Sequence, residues 1–287
     1  MQETTEELNA AEVAIPWESR TDRPERHVRI AWSARTDIGR SREHNEDKYD
    51  FFVPEDPARL ALRGRLFSVA DGMGGHQAGQ VASETALKTV IRSYFDPDTS
   101  YETEAILRTA LNRANALIYR AAREFDSKVA GMGTTTVVAI VKEDVITIAH
   151  VGDSRAYLLR RGEPLKRLTT DHSWVEEQVR RGNLSREEAE KSPYRNYILR
   201  SVGVDPILEP DFESVIVQKD DTILLCSDGL TGMVDDNQIA DILGKESPSD
   251  AVISLVDAAN DAGGKDNITA LVLKVVDVGL YNEKIHN

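Results

Sequence analysis

Residues 135–150 read Thr-Thr-Val-Val-Ala-Ile-Val-Lys-Glu-Asp-Val-Ile-Thr-Ile-Ala-His. β-Branched residues dominate two runs, Thr135 to Val141 and Val145 to His150, and the polar triplet Lys142-Glu143-Asp144 separates them. Such side chains suit a pleated, half-buried surface, so the stretch predicts an antiparallel hairpin.

Upstream, Thr103 to Phe125 repeats apolar residues at helical spacing (Ile106, Leu107, Ala110, Leu111, Ala114, Leu117, Ile118), which predicts a helix with one core-facing stripe. Gly79 to Phe95 reads as its helical neighbour, and His27 to Ala34 and Tyr49 to Val53 as opening strands. The last third gives strands near Ser214 to Val217, Thr222 to Cys226 and Ile268 to Leu273. Its helices run from Asp236 to Leu243, ended by Gly244, and from Asp250 to Ala262, ended by Gly263-Gly264. Strands in consecutive runs, broken by helix pairs, favour antiparallel sheets layered with helices, an α+β class, over a doubly wound parallel sheet.

Between Ser173 and Ser192 two short, charged helices are expected. Gly182 ends the first, and Ser185 with Glu188 has capping-box spacing for the second. Residues 170–200 are therefore expected to form a surface flap. Residues 1–27 are polar and acid-rich and read as a mobile tail, pinned locally by Ile15 and Trp17. Residues 28–278 form one domain, and 279–287 a second tail.

The chain has 287 residues and a net charge of -14, which argues against electrostatic binding to nucleic acid or anionic membranes. No apolar run approaches a membrane span, the N-terminus does not read as a secretory signal, and a single cysteine precludes an intrachain disulfide. A cytoplasmic monomer is expected.

Acidic residues gather at the ends of the predicted strands: Glu46-Asp47, Asp71-Gly72, Asp228-Gly229 and Asp266-Asn267. Carboxylates drawn together from opposite halves of a chain repel, and burying them is costly unless a cation compensates. Oxygen ligands without histidine or cysteine at zinc-like spacing suit magnesium or manganese.

These segments belong to an ordered series: Thr36-Asp37-Ile38-Gly39 leading to Arg42 and Asn45-Glu46-Asp47, then Asp71-Gly72-Met73-Gly74-Gly75-His76 and Gly131-Met132-Gly133-Thr134-Thr135. Val151-Gly152-Asp153-Ser154-Arg155, Leu168-Thr169-Thr170-Asp171-His172-Ser173, Arg195-Asn196, Cys226-Ser227-Asp228-Gly229 and Asp266-Asn267-Ile268-Thr269 follow. The series resembles the metal-dependent serine/threonine protein phosphatases of type 2C, in their short bacterial single-domain form. The resemblance implies a four-layer α-β-β-α sandwich, two antiparallel sheets flanked by helix pairs.

It also implies two tightly bound Mn2+ or Mg2+ ions, and a third weak one, that activate water to hydrolyse phosphoserine and phosphothreonine in phosphoproteins, reversing a serine/threonine kinase. By the same resemblance Asp71 bridges the two ions and the Gly72 carbonyl completes one shell. Asp228 and Asp266 hold one ion, while Asp47 and Glu46 support the other. Asp153 joins Asp228 at the third, its alternative being a hairpin residue held by Arg155. Arg42 would grip phosphate with its planar fork. Asn267 would bond a ligating carboxylate or water, or cap a turn. Met73 stands where the animal branch carries a histidine proposed as general acid, and His76 could serve that purpose or order the glycine turn.

Other chemistries fit less well. A cysteine-nucleophile phosphatase needs arginine six residues after the cysteine, and Gly232 stands there relative to Cys226. A non-catalytic phosphoprotein-binding scaffold would be expected to lack a ligating carboxylate, and none is missing. Hydrolysis of small phosphorylated metabolites is compatible with the same residues.

Overall fold

The computed structural model describes residues 26–74, 77–96, 102–124 and 131–280. In chain order the first half comprises β1 (Arg26–Asp37), β2 (Lys48–Phe52), α1 (Pro57–Arg63), β3 (Arg65–Ala70), β4 (Gly72–Met73), α2 (Gln77–Tyr94), α3 (Thr103–Glu124) and β5 (Gly133–Thr134). The hairpin follows as β6 (Thr136–Lys142) and β7 (Val145–Val151), then β8 (Arg155–Leu159), β9 (Lys166–Arg167), α4 (Trp174–Arg180) and α5 (Arg186–Lys191). The last third holds β10 (Asp211–Ile216), β11 (Thr222–Cys226), α6 (Asp228–Thr231), α7 (Asp236–Lys245), α8 (Pro248–Asp261) and β12 (Ile268–Leu280).

Two five-stranded antiparallel sheets result, ordered β1-β12-β11-β8-β9 and β10-β7-β6-β3-β2. Successive side chains of a strand face opposite ways, and the core follows that period. Val137, Ala139 and Val141 join Ile223, Leu225, Leu271 and Leu273 between the sheets. The intervening Val138 and Ile140 face α2 and α3, while Leu224, Cys226, Ala270 and Val272 face α7 and α8. The expected four layers are present, with one helix pair on each outer side.

Several boundaries differ from expectation. The long pairing of β1 with β12, from Arg26↔Leu280 to Asp37↔Ile268, carries the sheet past the domain limits set at 28 and 278. Gly244 lies inside α7, because Asp235 caps its start and the helix continues to Lys245. The expected tails, with Ile15 and Trp17, fall outside the described residues apart from 26–27 and 279–280, which are strand. The flap region does contain two short helices, α4 and α5, the second with the full Ser185/Glu188 capping box. Its base is closed where Trp174 N–H donates to the Tyr197 carbonyl at 2.8 Å and Leu199 N–H to the His172 carbonyl at 2.7 Å.

Candidate metal centre

The acidic residues converge at one end of the sandwich because the strands that carry them are neighbours. Asp71 follows β3 directly, Asp47 precedes β2, Asp228 opens α6 just after β11, and Asp266 lies just before β12. Asp153 sits in the β7–β8 turn, where Gly152 takes φ 102° and a Cβ would meet Thr135 Cγ2 at 2.6 Å.

Asp47 is fully buried. Its Oδ2 accepts from Ser227 Oγ at 2.6 Å and Thr269 Oγ1 at 2.7 Å, while Oδ1 has no partner. Behind this pair, Asn45 Nδ2 donates to Thr36 Oγ1 at 2.9 Å, and Thr36 Oγ1 lies 2.7 Å from Thr269 Oγ1. Because the Thr269 proton goes to Asp47, Thr36 must be the donor between the two hydroxyls, so one file of donors runs from Asn45 to Asp47. Asp71 is fixed by its backbone: its N–H donates to Thr135 Oγ1 at 3.0 Å, and its carbonyl accepts from Thr135 N–H and Thr134 Oγ1, both at 2.8 Å. Thr135 Oγ1 also lies 2.6 Å from Ser154 Oγ, which links the Asp71 and Asp153 segments.

Burial is the main cause that pushes the Asp71, Asp47, Asp228 and Asp153 carboxyls up. Asp47 reaches about 7, with Asp228 and Asp266 adding repulsion, and Asp153 about 8, with Asp228 and Asp171 adding theirs. Asp71 is held well above the usual carboxylate range, with Asp47, Asp228 and Asp153 acting on it after burial, and Asp228 is raised with Asp266 as its main charged neighbour. One oxygen each of Asp47, Asp153 and Asp228 is buried without a hydrogen-bond partner. Buried carboxylate oxygens without hydrogen-bond partners, on residues that repel one another, suit a compensating cation, and an all-oxygen set fits a hard divalent ion.

Arg42 donates from Nη2 to Asp266 Oδ2 at 2.6 Å, with its side chain 54 % exposed. Glu46 lies against the first turn of α2: a Cβ on Gly79 would meet its Oε2 at 2.0 Å. Gly72 is required by space, since a Cβ there would meet the Gly79 carbonyl at 2.1 Å. For two residues the contacts depart from one of the alternatives given above. Asn267 reaches no carboxylate with its side chain. Its Nδ2 donates to the Ile38 and His44 carbonyls and its Oδ1 accepts from Glu46 N–H at 2.8 Å, so it braces the loop that carries Arg42 and Glu46. Arg155 does not hold Asp153: its Nε and Nη2 donate to Asp171 at 2.7 to 3.1 Å. His76 lies outside the described residues.

Sequence reading assigned no role to Ser227, Thr269, Thr36 and Thr135, although the motifs contain them. Hydroxyls at strand ends carry no directional signal until the strands are paired. It also missed His150, His172 and Asp211, whose ligand atoms lie within 4.8 Å of one another. There the cation position is taken: Arg200 Nη1 lies 2.7 Å from Asp211 Oδ1 and 3.2 Å from His172 Nε2. His172 Nδ1 accepts from Gly152 N–H, and burial pushes this ring down to about 4, so the neutral imidazole directs Nε2–H at Asp211.

Comparison with known proteins agrees with this geometry. Residues 40–180 match the family described as Protein phosphatase 2C. A serine/threonine phosphatase, Stp, of Listeria welshimeri is 43 % identical over 244 residues, covering 84 % of this chain and 94 % of the relative. The serine/threonine phosphatase of S. agalactiae superposes with a TM-score of 0.78 at 35 % identity, covering 86 % of this chain and all of that one. The catalytic domain of the serine/threonine protein phosphatase PstP, solved with two manganese ions, gives 0.73 at 33 % identity over 86 % of this chain and 99 % of its own. The chain belongs to the protein phosphatase 2C family.

Proposed function

We propose that the protein is a metal-dependent phosphatase of phosphoserine and phosphothreonine in proteins, acting through two Mn2+ or Mg2+ ions and a third, weaker one. The observation that carries this reading is the set of buried carboxylates, Asp47, Asp71, Asp153 and Asp228, gathered with three of their oxygens unpartnered. On this reading Asp71, the Gly72 carbonyl, Asp228, Asp266 and Asp47 would hold the two ions, and Asp153 with Asp228 would hold the third. Such ions, when bound, lower the pKa of water toward neutrality and neutralise phosphoryl oxygens.

The chain's own contribution is positional. Ser227 and Thr269 fix the Asp47 carboxylate, Asn267 fixes the loop from Ile38 to Glu46, and that loop delivers Arg42 beside Asp266. A phosphate would draw the Arg42 fork from Asp266, because a dianion outbids a carboxylate that a cation has already neutralised. Glu46 with Asp47 would support one ion, and no side chain is needed as nucleophile.

The partners on this reading are phosphorylated proteins, including a serine/threonine kinase or its substrates, met by a monomer in the cytoplasm. One buried, unpaired cysteine, together with the lack of any helix among the described residues long and apolar enough to cross a membrane, is compatible with that setting. The test is hydrolysis of phosphoserine, phosphothreonine and phosphotyrosine peptides after chelation and again with added manganese. Activity on the first two that vanishes and returns is expected, and full activity in metal-stripped protein would sink the reading.

A further inference from the structure

Five charged side chains cross from the sheet beside Asp153 to the two short helices above the cleft. Arg155 on β8 holds Asp171, and Arg167 on β9 lies 3.5 Å from Asp171 Oδ2 and 3.2 Å from Glu176 Oε2. Glu176, in α4, then accepts from both Nη groups of Arg186, the first residue of α5, at 2.9 and 3.1 Å. Signs alternate along the row, so each carboxylate sits between guanidinium groups.

Glu176 is the inner member of its pair, 12 % exposed against 62 % for Arg186. Burial works to raise its carboxyl, yet Arg186 and Arg167 together hold it below the usual range. Its side-chain ion pairs are with Arg167 and Arg186, away from the acidic residues of the metal centre. Its reach is to the cleft itself: Glu176, Arg186, Asp153 and Asp228 all line one cavity of about 750 Å³.

We propose that Glu176 is a positioning residue for polypeptide substrates. It fastens α4 to α5 and, through Arg167, both helices to the catalytic sheet, so the outer wall of the cleft is in place when a phosphorylated chain lies along it. A small phosphomonoester needs only the metal centre and Arg42, whereas a phosphopeptide must also rest against this wall. The inference deepens the phosphatase reading and rests on it.

The test uses Glu176→Gln, which keeps the shape and removes the charge, and Arg186→Gln, which alters an exposed partner. With manganese, each variant is expected to raise KM for a phosphothreonine peptide about tenfold with kcat nearly kept, while kcat/KM on p-nitrophenyl phosphate stays within about twofold. The double variant should lose little more than Glu176→Gln alone, because Arg186 acts through Glu176. Equal losses on the two substrates, an unchanged peptide KM, or fully additive losses would overturn the proposal. A wild-type protein inactive on both substrates would overturn the phosphatase reading, and this inference with it.

Discussion

Ser227 Oγ donates to Asp47 Oδ2 at 2.6 Å, joining residues 180 positions apart. Ser227 occupies the N-cap position of α6 but makes no side-chain capping bond there: its Oγ donates to Asp47 and accepts from Thr269 N–H at 3.0 Å instead of from the helix. Ser227→Ala should therefore weaken metal binding, about tenfold or more, as is usual when a ligand's hydrogen-bond support is removed. Calorimetric titration with manganese reads this directly, and unchanged affinity would show that Asp47 does not serve the ions.

Asp228→Asn removes charge from the centre of the cluster. Activity should fall at least about a hundredfold, while the melting temperature of the metal-free protein rises, because one of the mutually repelling carboxyls is gone. Near-normal turnover would mean the centre is misplaced.

The raised carboxyls also set a pH dependence with a definite sign. A group whose native pKa exceeds its unfolded value favours the fold at low pH and loses that advantage as pH climbs through the native value. With Asp47 at about 7 and Asp153 at about 8, the metal-free protein should lose stability steadily from about pH 4 to pH 8. Manganese should remove most of that slope in thermal melts. A metal-free protein equally stable across this range would show the carboxyls are not raised.

Arg42→Ala should raise KM for a phosphopeptide strongly with a smaller fall in kcat, and Arg42→Lys should rescue only part, since an ammonium cannot make the bidentate contact. The metal-free melting temperature should change little, as the Arg42–Asp266 pair is exposed on the arginine side. An unaltered KM in a folded variant would exclude Arg42 from the phosphate site.

Asp153→Ala should keep two tightly bound ions by calorimetry yet lose most phosphopeptide activity. Arg155 makes its bidentate contact with Asp171, while its charge still acts on Asp153. Wild-type activity at low manganese in this variant would return Asp153 to a structural role.

The sequence by itself determined the layers and the ligand candidates. The β-branched run from Thr135 to Val141 and the stripe from Ile106 to Ile118 are local patterns; the first marks a strand and the second also marks which face of its helix is buried. The acidic residues were legible for the same reason: each stands at the end of an apolar run. Only the tertiary structure decided what surrounds them. Whether Arg155 turns to Asp153 or Asp171, whether Asn267 meets a carboxylate or the Ile38 and His44 carbonyls, and which hydroxyls reach Asp47 depend on contacts between segments up to 229 positions apart. A hydrogen bond requires its partners within about 3 Å, and that distance is fixed by the pairing of β1 with β12 and of β11 with its neighbours, which no single stretch of sequence contains.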